Sequence, residues 1–176
     1  MRPSRHAEKV AAACTFLDGA LGPHRTQLDI DVPIDDIIRQ HRLKVRSAPG
    51  NGHCLLYSWA AATNTSVDHV KRLVRDEYTG HAVNYNNAGT DAHEMQRYLS
   101  SRTYTLDAVD AVIHILCNAC AVTAFVIGQK YTYNNPQNVT AVPGVTEIRR
   151  ICGRNSAASQ RQILLLKTME HYDSLA

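Results

Sequence analysis

The sequence predicts an α+β domain, a mixed α/β arrangement with a small central sheet flanked by helices. Three observations predict it. Apolar residues recur at helical spacing in several segments between residues 7 and 120. A nearly continuous β-branched and aromatic run follows at 121–128, and two more strand-like segments lie at 145–152 and 161–168. The order, helices first and then mainly strands, suits an α+β chain. The length of 176 residues fits one domain. A domain of that size buries roughly 68–70% of its unfolded surface, so it needs no metal or disulfide to hold a core.

Residues 7–20 place Val10, Cys14, Phe16 and Leu17 at near-helical spacing and close near Gly19 or Gly22. In VPIDDIIRQHRL a second helix is expected, with Pro33 near its first turn. Residues 47–53, SAPGNGH, form a turn-rich loop. CLLYSWAAATN, 54–64, has high helix propensity and reads as a buried helix beginning at Cys54. SVDHVKRLVRDEY, 66–78, carries Val67, Val70, Leu73 and Val74 on one stripe, with Ser66 suited to cap it.

Residues 79–90 are rich in Asn and Gly and read as a loop. Short helices are expected at 91–101 and 106–120. AVTAFVIG, 121–128, reads as a strand buried on both sides. Residues 129–144 read as a loop or a ragged hairpin. VTEIRRIC, 145–152, alternates like a half-buried strand, GRNSAASQ is a turn, and RQILLLKT is another buried strand. The two strands around that turn are expected to pair as a hairpin.

Composition excludes several classes. Hydrophobic residues make up 44% and charged residues 20%, which rules out a disordered chain. No apolar run approaches the roughly 18 residues that cross a bilayer. MRPSRHAEKV is followed by no long apolar segment, so a secretory signal is not expected. A net charge of +3, in short clusters, does not argue for nucleic acid. Five cysteines at irregular spacing make a poor disulfide framework and point to a reducing compartment, cytosol or nucleus. A well-placed cysteine there is a candidate nucleophile.

Two places carry chemistry. Pro49-Gly50-Asn51-Gly52-His53-Cys54 is a glycine-rich loop opening into a helix. A thiol at a helix N-terminus meets unpaired N–H groups and the positive end of the macrodipole, and both favour the thiolate. The glycines let backbone donors turn toward one point, where they can hold a developing oxyanion. His53 is expected at the loop surface, either flanking a substrate channel or simply solvated. The second place is Glu170-His171-Tyr172-Asp173, beyond the strand 161–168. In an extended segment residues i and i+2 share a side. Asp173 then orients one nitrogen of His171 and leaves the other outward, the base-plus-orienter pair that a cysteine nucleophile requires.

With these motifs the chain resembles the ovarian tumour (OTU) family of cysteine proteases, which remove ubiquitin or ubiquitin-like modifiers. The family's Asp-Gly-x-Cys stands here as Asn51-Gly52-His53-Cys54, followed by Leu55-Leu56-Tyr57. Its His-aromatic-Asn/Asp stands as His171-Tyr172-Asp173. The stretch leading into AVTAFVIG also looks like the family's core, so the resemblance covers roughly 45–175. It implies a papain-like OTU fold over residues 45–176; residues 1–44 match nothing in the family and are expected to form a helical extension packed on the same domain. It implies Cys54 as nucleophile, His171 as base and Asp173 as orienter, with Asn51, Gly52 and His53 forming the oxyanion loop. It implies a monomeric thiol-dependent deubiquitinase, without cofactor or metal, whose partner is ubiquitin or a ubiquitin-like modifier. The departure is Asn51, where most members have Asp. Because ubiquitin tails are basic, Glu77, Asp91, Glu94 and Glu170 are candidates for an acidic channel.

Other classes compete. Cys117-x-x-Cys120 has zinc-type spacing, but a structural site needs about four ligands and no second pair exists. OTU-like domains also occur in viruses and mobile elements, so a polyprotein-processing protease is one alternative. An inactive ubiquitin-binding domain is another.

Overall fold

The structure is a computed structural model. It describes residues 2–86, 91–101, 106–154 and 161–176, and only the backbone of 106–108.

The chain runs α1 (Arg5–Leu21), β1 (Gln27–Ile30), α2 (Ile34–Gln40), β2 (Val45–Arg46), α3 (Cys54–Thr63), α4 (Val67–Gly80), α5 (Ala82–Asn86), α6 (Ala92–Ser101), α7 (Leu106–Cys120), then β3 (Thr123–Asn135), β4 (Asn138–Cys152), β5 (Gln162–Thr168) and β6 (His171–Leu175). The α+β class is as the sequence predicts. Ser4 and Ser66 cap α1 and α4, their hydroxyls accepting from the N–H groups of Ala7 and His69. Asn64 ends α3 in the left-handed conformation, at φ 54°.

The six strands form one sheet in the order β1-β4-β3-β5-β6-β2. Among the described residues only β3 and β5 pair in parallel. Alternate side chains of β3 enter two separate cores. Ala124 and Val126 join Leu55, Leu56, Trp59, Val112 and Leu116 on the α3–α7 side. Phe125 and Ile127 join Leu17, Leu21, Ile37, Ile148 and Leu164 on the α1–α2 side. Residues 2–44 thus pack on one face of the sheet and add β1 to its edge through pairs such as Leu28–Ile148.

The expected hairpin between 145–152 and 161–168 is not formed. β4 pairs with β3 antiparallel, β5 pairs with β3 parallel, and β3 lies between them. A strand apolar on both faces gains most at the centre of a sheet, where both of its edges find partners. The intervening segment begins with Gly153, which passes under α7. A Cβ there would stand 2.0 Å from the Cys117 carbonyl oxygen, so only glycine fits. Residues 155–160 of the expected turn lie outside the described residues.

Other differences are local. Residues 129–144 form the ragged hairpin, with β3 and β4 running to Asn135 and Asn138 through two register shifts. The expected loop at 79–90 holds the end of α4 and the short α5, while 87–90 lie outside the described residues. β1 and β2 are strands of four and two residues, too short for a two-residue period to declare itself.

Candidate active site

Loop 47–53 delivers Cys54 as the first residue of α3. The helix follows from an apolar, alanine-rich run that buries Leu55, Leu56, Trp59 and Ala60. Cys54 is 2% exposed and lies at the floor of a junction between that helix and β6. Its Sγ accepts from the Tyr172 N–H at 3.4 Å and donates to the Glu170 carbonyl at 3.9 Å. The sulfur therefore touches the peptide groups on both sides of His171. Among the described residues no hydrogen bond joins Sγ to the His171 ring itself, a distance that such pairs often close only when substrate binds.

His171 opens β6 at the mouth of a tight turn, where Thr168 pairs with it and Met169 takes φ 54°. Its Nε2 is 2.8 Å from Asp173 Oδ1. The i, i+2 geometry of a strand puts both side chains on one side, as the sequence implies. The His171 side chain is 35% exposed and that of Asp173 12%. Asp173 Oδ1 also accepts from the Ala48 N–H at 2.8 Å, so one carboxylate braces both the imidazole and the loop that carries Cys54.

Asn51 folds the loop on itself. Its Oδ1 accepts from the His53 N–H at 2.9 Å and its carbonyl from the Cys54 N–H at 3.2 Å. His53 is not at the surface. It is 1% exposed, its Nε2 lies 2.5 Å from the Tyr98 carbonyl, and its ring meets the Tyr98 ring edge-on at 5.2 Å. An imidazole can be buried here because α6 supplies a polar partner. His53 is a tether between the loop and α6, not a channel wall.

Two contributors were invisible to sequence motifs. Ser58, one turn beyond Cys54, donates from Oγ to the Tyr172 carbonyl at 2.8 Å. The Tyr172 backbone N–H serves the sulfur. The i, i+4 spacing of Cys54 and Ser58 was the available signal, since it places both on one helix face. Of the four acidic channel candidates, Glu170 adjoins the site and is exposed. Glu77 is engaged by Arg154 and by the Tyr85 hydroxyl, and Asp91 caps α6 through the Glu94 N–H.

The other thiols are of a different kind. Burial pushes Cys14 and Cys117 up to about 12, and it raises Cys120 as well. Cys117 is fully buried, and among the described residues no group of three or more His, Cys, Asp or Glu side chains is placed to hold a metal ion. No described helix is long and apolar enough to cross a membrane.

No family model matches the sequence, and no relative is found among curated proteins. Solved structures do match. The OTU domain of human OTUD1 superposes with a TM-score of 0.58 at 14% identity, over 81% of this chain and 91% of that one. The viral OTU domain protease from Taggert virus superposes with a TM-score of 0.52 at 13% identity, over 85% and 84%. With its mixed sheet, its helix-borne Cys54 and its terminal His171 strand, the chain has the OTU-domain fold.

Proposed function

We propose that the protein is a thiol-dependent protease that hydrolyses the isopeptide or peptide bond after the C-terminal glycine of ubiquitin or a ubiquitin-like modifier. The observation that carries this reading is the position of Cys54 Sγ, held between the peptide groups flanking His171, whose Nε2 is fixed by Asp173. The OTU-domain fold, shared with a viral OTU domain protease, supports the protease reaction.

In this reading Cys54 is the nucleophile and His171 the base. With Nε2 engaged by Asp173, Nδ1 is the nitrogen left to take the thiol proton. The thiolate is stabilised by the Tyr172 N–H and by the N-terminus of α3. It attacks the glycine carbonyl, and the tetrahedral adduct collapses as His171 protonates the leaving amine. Water, deprotonated by the same imidazole, then hydrolyses the thioester. Asp173 keeps the imidazole in one tautomer and stabilises its charged form. No cofactor enters this chemistry.

The test is a ubiquitin bearing a thiol-reactive C-terminus. The wild type is expected to form a covalent adduct on Cys54, and Cys54→Ala none. An adduct on Cys152 alone, or equal turnover of a ubiquitin amide by wild type and Cys54→Ala, would overturn the assignment.

A further inference from the structure

α3 and β6 carry Cys54 and His171 at one end and close a cavity at the other. Ala61 and Ala62, in the last turn of α3, line it, about 10–12 Å along the helix axis from Cys54. The cavity measures about 470 Å³, the size of a small-molecule site. Among the described residues no Asp or Glu side chain lines it, but two arginines do: Arg46 of β2 and Arg161, just before β5. The exposed Arg46 side chain makes no hydrogen bond or ion pair among the described residues. Arg161 donates to the Thr63 carbonyl at 3.3 Å. α1 presents its first turn to the same space through Ser4, His6 and Ala7. The Ser4 hydroxyl takes the Ala7 N–H, while the His6 N–H has no partner among the described residues. Such a turn offers donors and the positive end of the helix dipole to an anion. Ala176 also lines the cavity, its main-chain oxygen taken by the Lys44 N–H at 2.6 Å. Ser174 is an independent sign of a ligand. It lines the cavity and is 1% exposed, yet its Oγ has no hydrogen-bond partner among the described residues. The alternation of β6 puts it on the side of Tyr172, which packs in the α3 core. Ser58 satisfies the Tyr172 carbonyl, but no described group satisfies the Ser174 hydroxyl. A buried hydroxyl left this way costs stability unless something outside the chain pairs with it.

We propose that this cavity binds a small soluble phosphate monoester, at a site separate from the thiol chemistry and independent of the protease reading. Two arginines and a helix N-terminus favour a dianionic head group with several acceptor oxygens, and a guanidinium fork matches two of those oxygens at once. The Ser174 hydroxyl donates to the same head group. Ala61, Ala62 and Ile163 give the organic body an apolar wall. Shape argues against a membrane headgroup, because a bilayer is gripped by apolar side chains around the site. The exposed large apolar residues Val45, Val83, Tyr133 and Met169 do not line this cavity.

The test is calorimetric titration of the whole chain with phenyl phosphate in phosphate-free buffer, at a pH well above the second phosphate pKa of about 6. One saturable site is expected, with weaker binding of inorganic phosphate and none of phenol. Arg46→Glu is expected to weaken phenyl phosphate about tenfold or more, and Ser174→Ala about threefold to tenfold. Ser174→Ala removes an unsatisfied hydroxyl, so its Tm is expected not to fall, which separates a ligand contact from a packing role. Cys54→Ala is expected to bind as the wild type does. So is Arg42→Glu, which alters a different groove across α1. Absence of saturable binding, or unchanged binding in both Arg46→Glu and Ser174→Ala, would overturn the proposal. An equal loss in Arg42→Glu would reduce it to general charge, and a loss in Cys54→Ala would move the anion to the active site; either result also overturns it. Capture of the chain by phosphatidate vesicles without binding of free phenyl phosphate would overturn it in favour of a membrane.

Discussion

Ser58 and Tyr172 are joined by a buried hydrogen bond, Oγ to carbonyl oxygen at 2.8 Å, across 114 residues of sequence. The N–H of the same Tyr172 faces the Cys54 sulfur. One helix turn therefore grips one residue of β6 at two points, and that grip sets the spacing between Cys54 and His171. Ser58→Ala is expected to leave the Tyr172 carbonyl buried without its donor, costing about 1–3 kcal/mol of stability. Adduct formation at Cys54 is expected to slow about tenfold, and Ser58→Thr to recover part of the rate. Denaturant melts beside adduct kinetics check this; unchanged kinetics with lowered stability would confine Ser58 to a packing role.

Asp173 serves two partners with one oxygen, the imidazole of His171 and the Ala48 N–H. Asp173→Asn retains an oxygen for Ala48 but loses the charge that favours the imidazolium. It is expected to fold with nearly wild-type stability and to lose about 10²–10⁴ in kcat. Asp173→Ala also frees the loop and is expected to melt at lower temperature. Comparing Tm and kcat for the two variants separates the roles.

Removing residues 1–44 would strip the cover from Phe125, Ile127, Ile148 and Leu164, which are at most 1% exposed. Re-exposing four large apolar side chains costs roughly 6–12 kcal/mol at about 1.5–3 kcal/mol each. That is comparable to the whole stability of a domain, about 5–15 kcal/mol. The truncated chain is expected to be insoluble or molten, and a cooperative melt of residues 45–176 would contradict this.

The buried thiols make the fold sensitive to alkali. Cys14 and Cys117 are held near 12 in the folded state against an ordinary value near 9.0. A thiol whose folded value is raised binds its proton more tightly when folded. Its contribution is fully present below the unfolded value and is lost as pH rises from about 9 toward 12. Unfolding free energy is expected to be flat from about pH 7 to 8 and to fall above about 9. Cys14→Ala is expected to reduce that slope by up to about 1.4 kcal/mol per pH unit. Urea titrations at stepped pH measure it.

The sequence by itself determined the helices other than α5, the Ser66 cap of α4, the thiol at a helix start and the His171–Asp173 pair. Each follows from covalent geometry acting over a few residues: the 3.6-residue turn, the two-residue pleat, a hydroxyl reaching back to a nearby N–H. Tertiary structure alone decided that β5 lies beside β3, not β4, because pairing two strands across a long connection depends on mutual burial that no local pattern ranks. It alone buried His53 against Tyr98 and set Ser58 on Tyr172, since a polar side chain enters a core only where a distant segment supplies its partner.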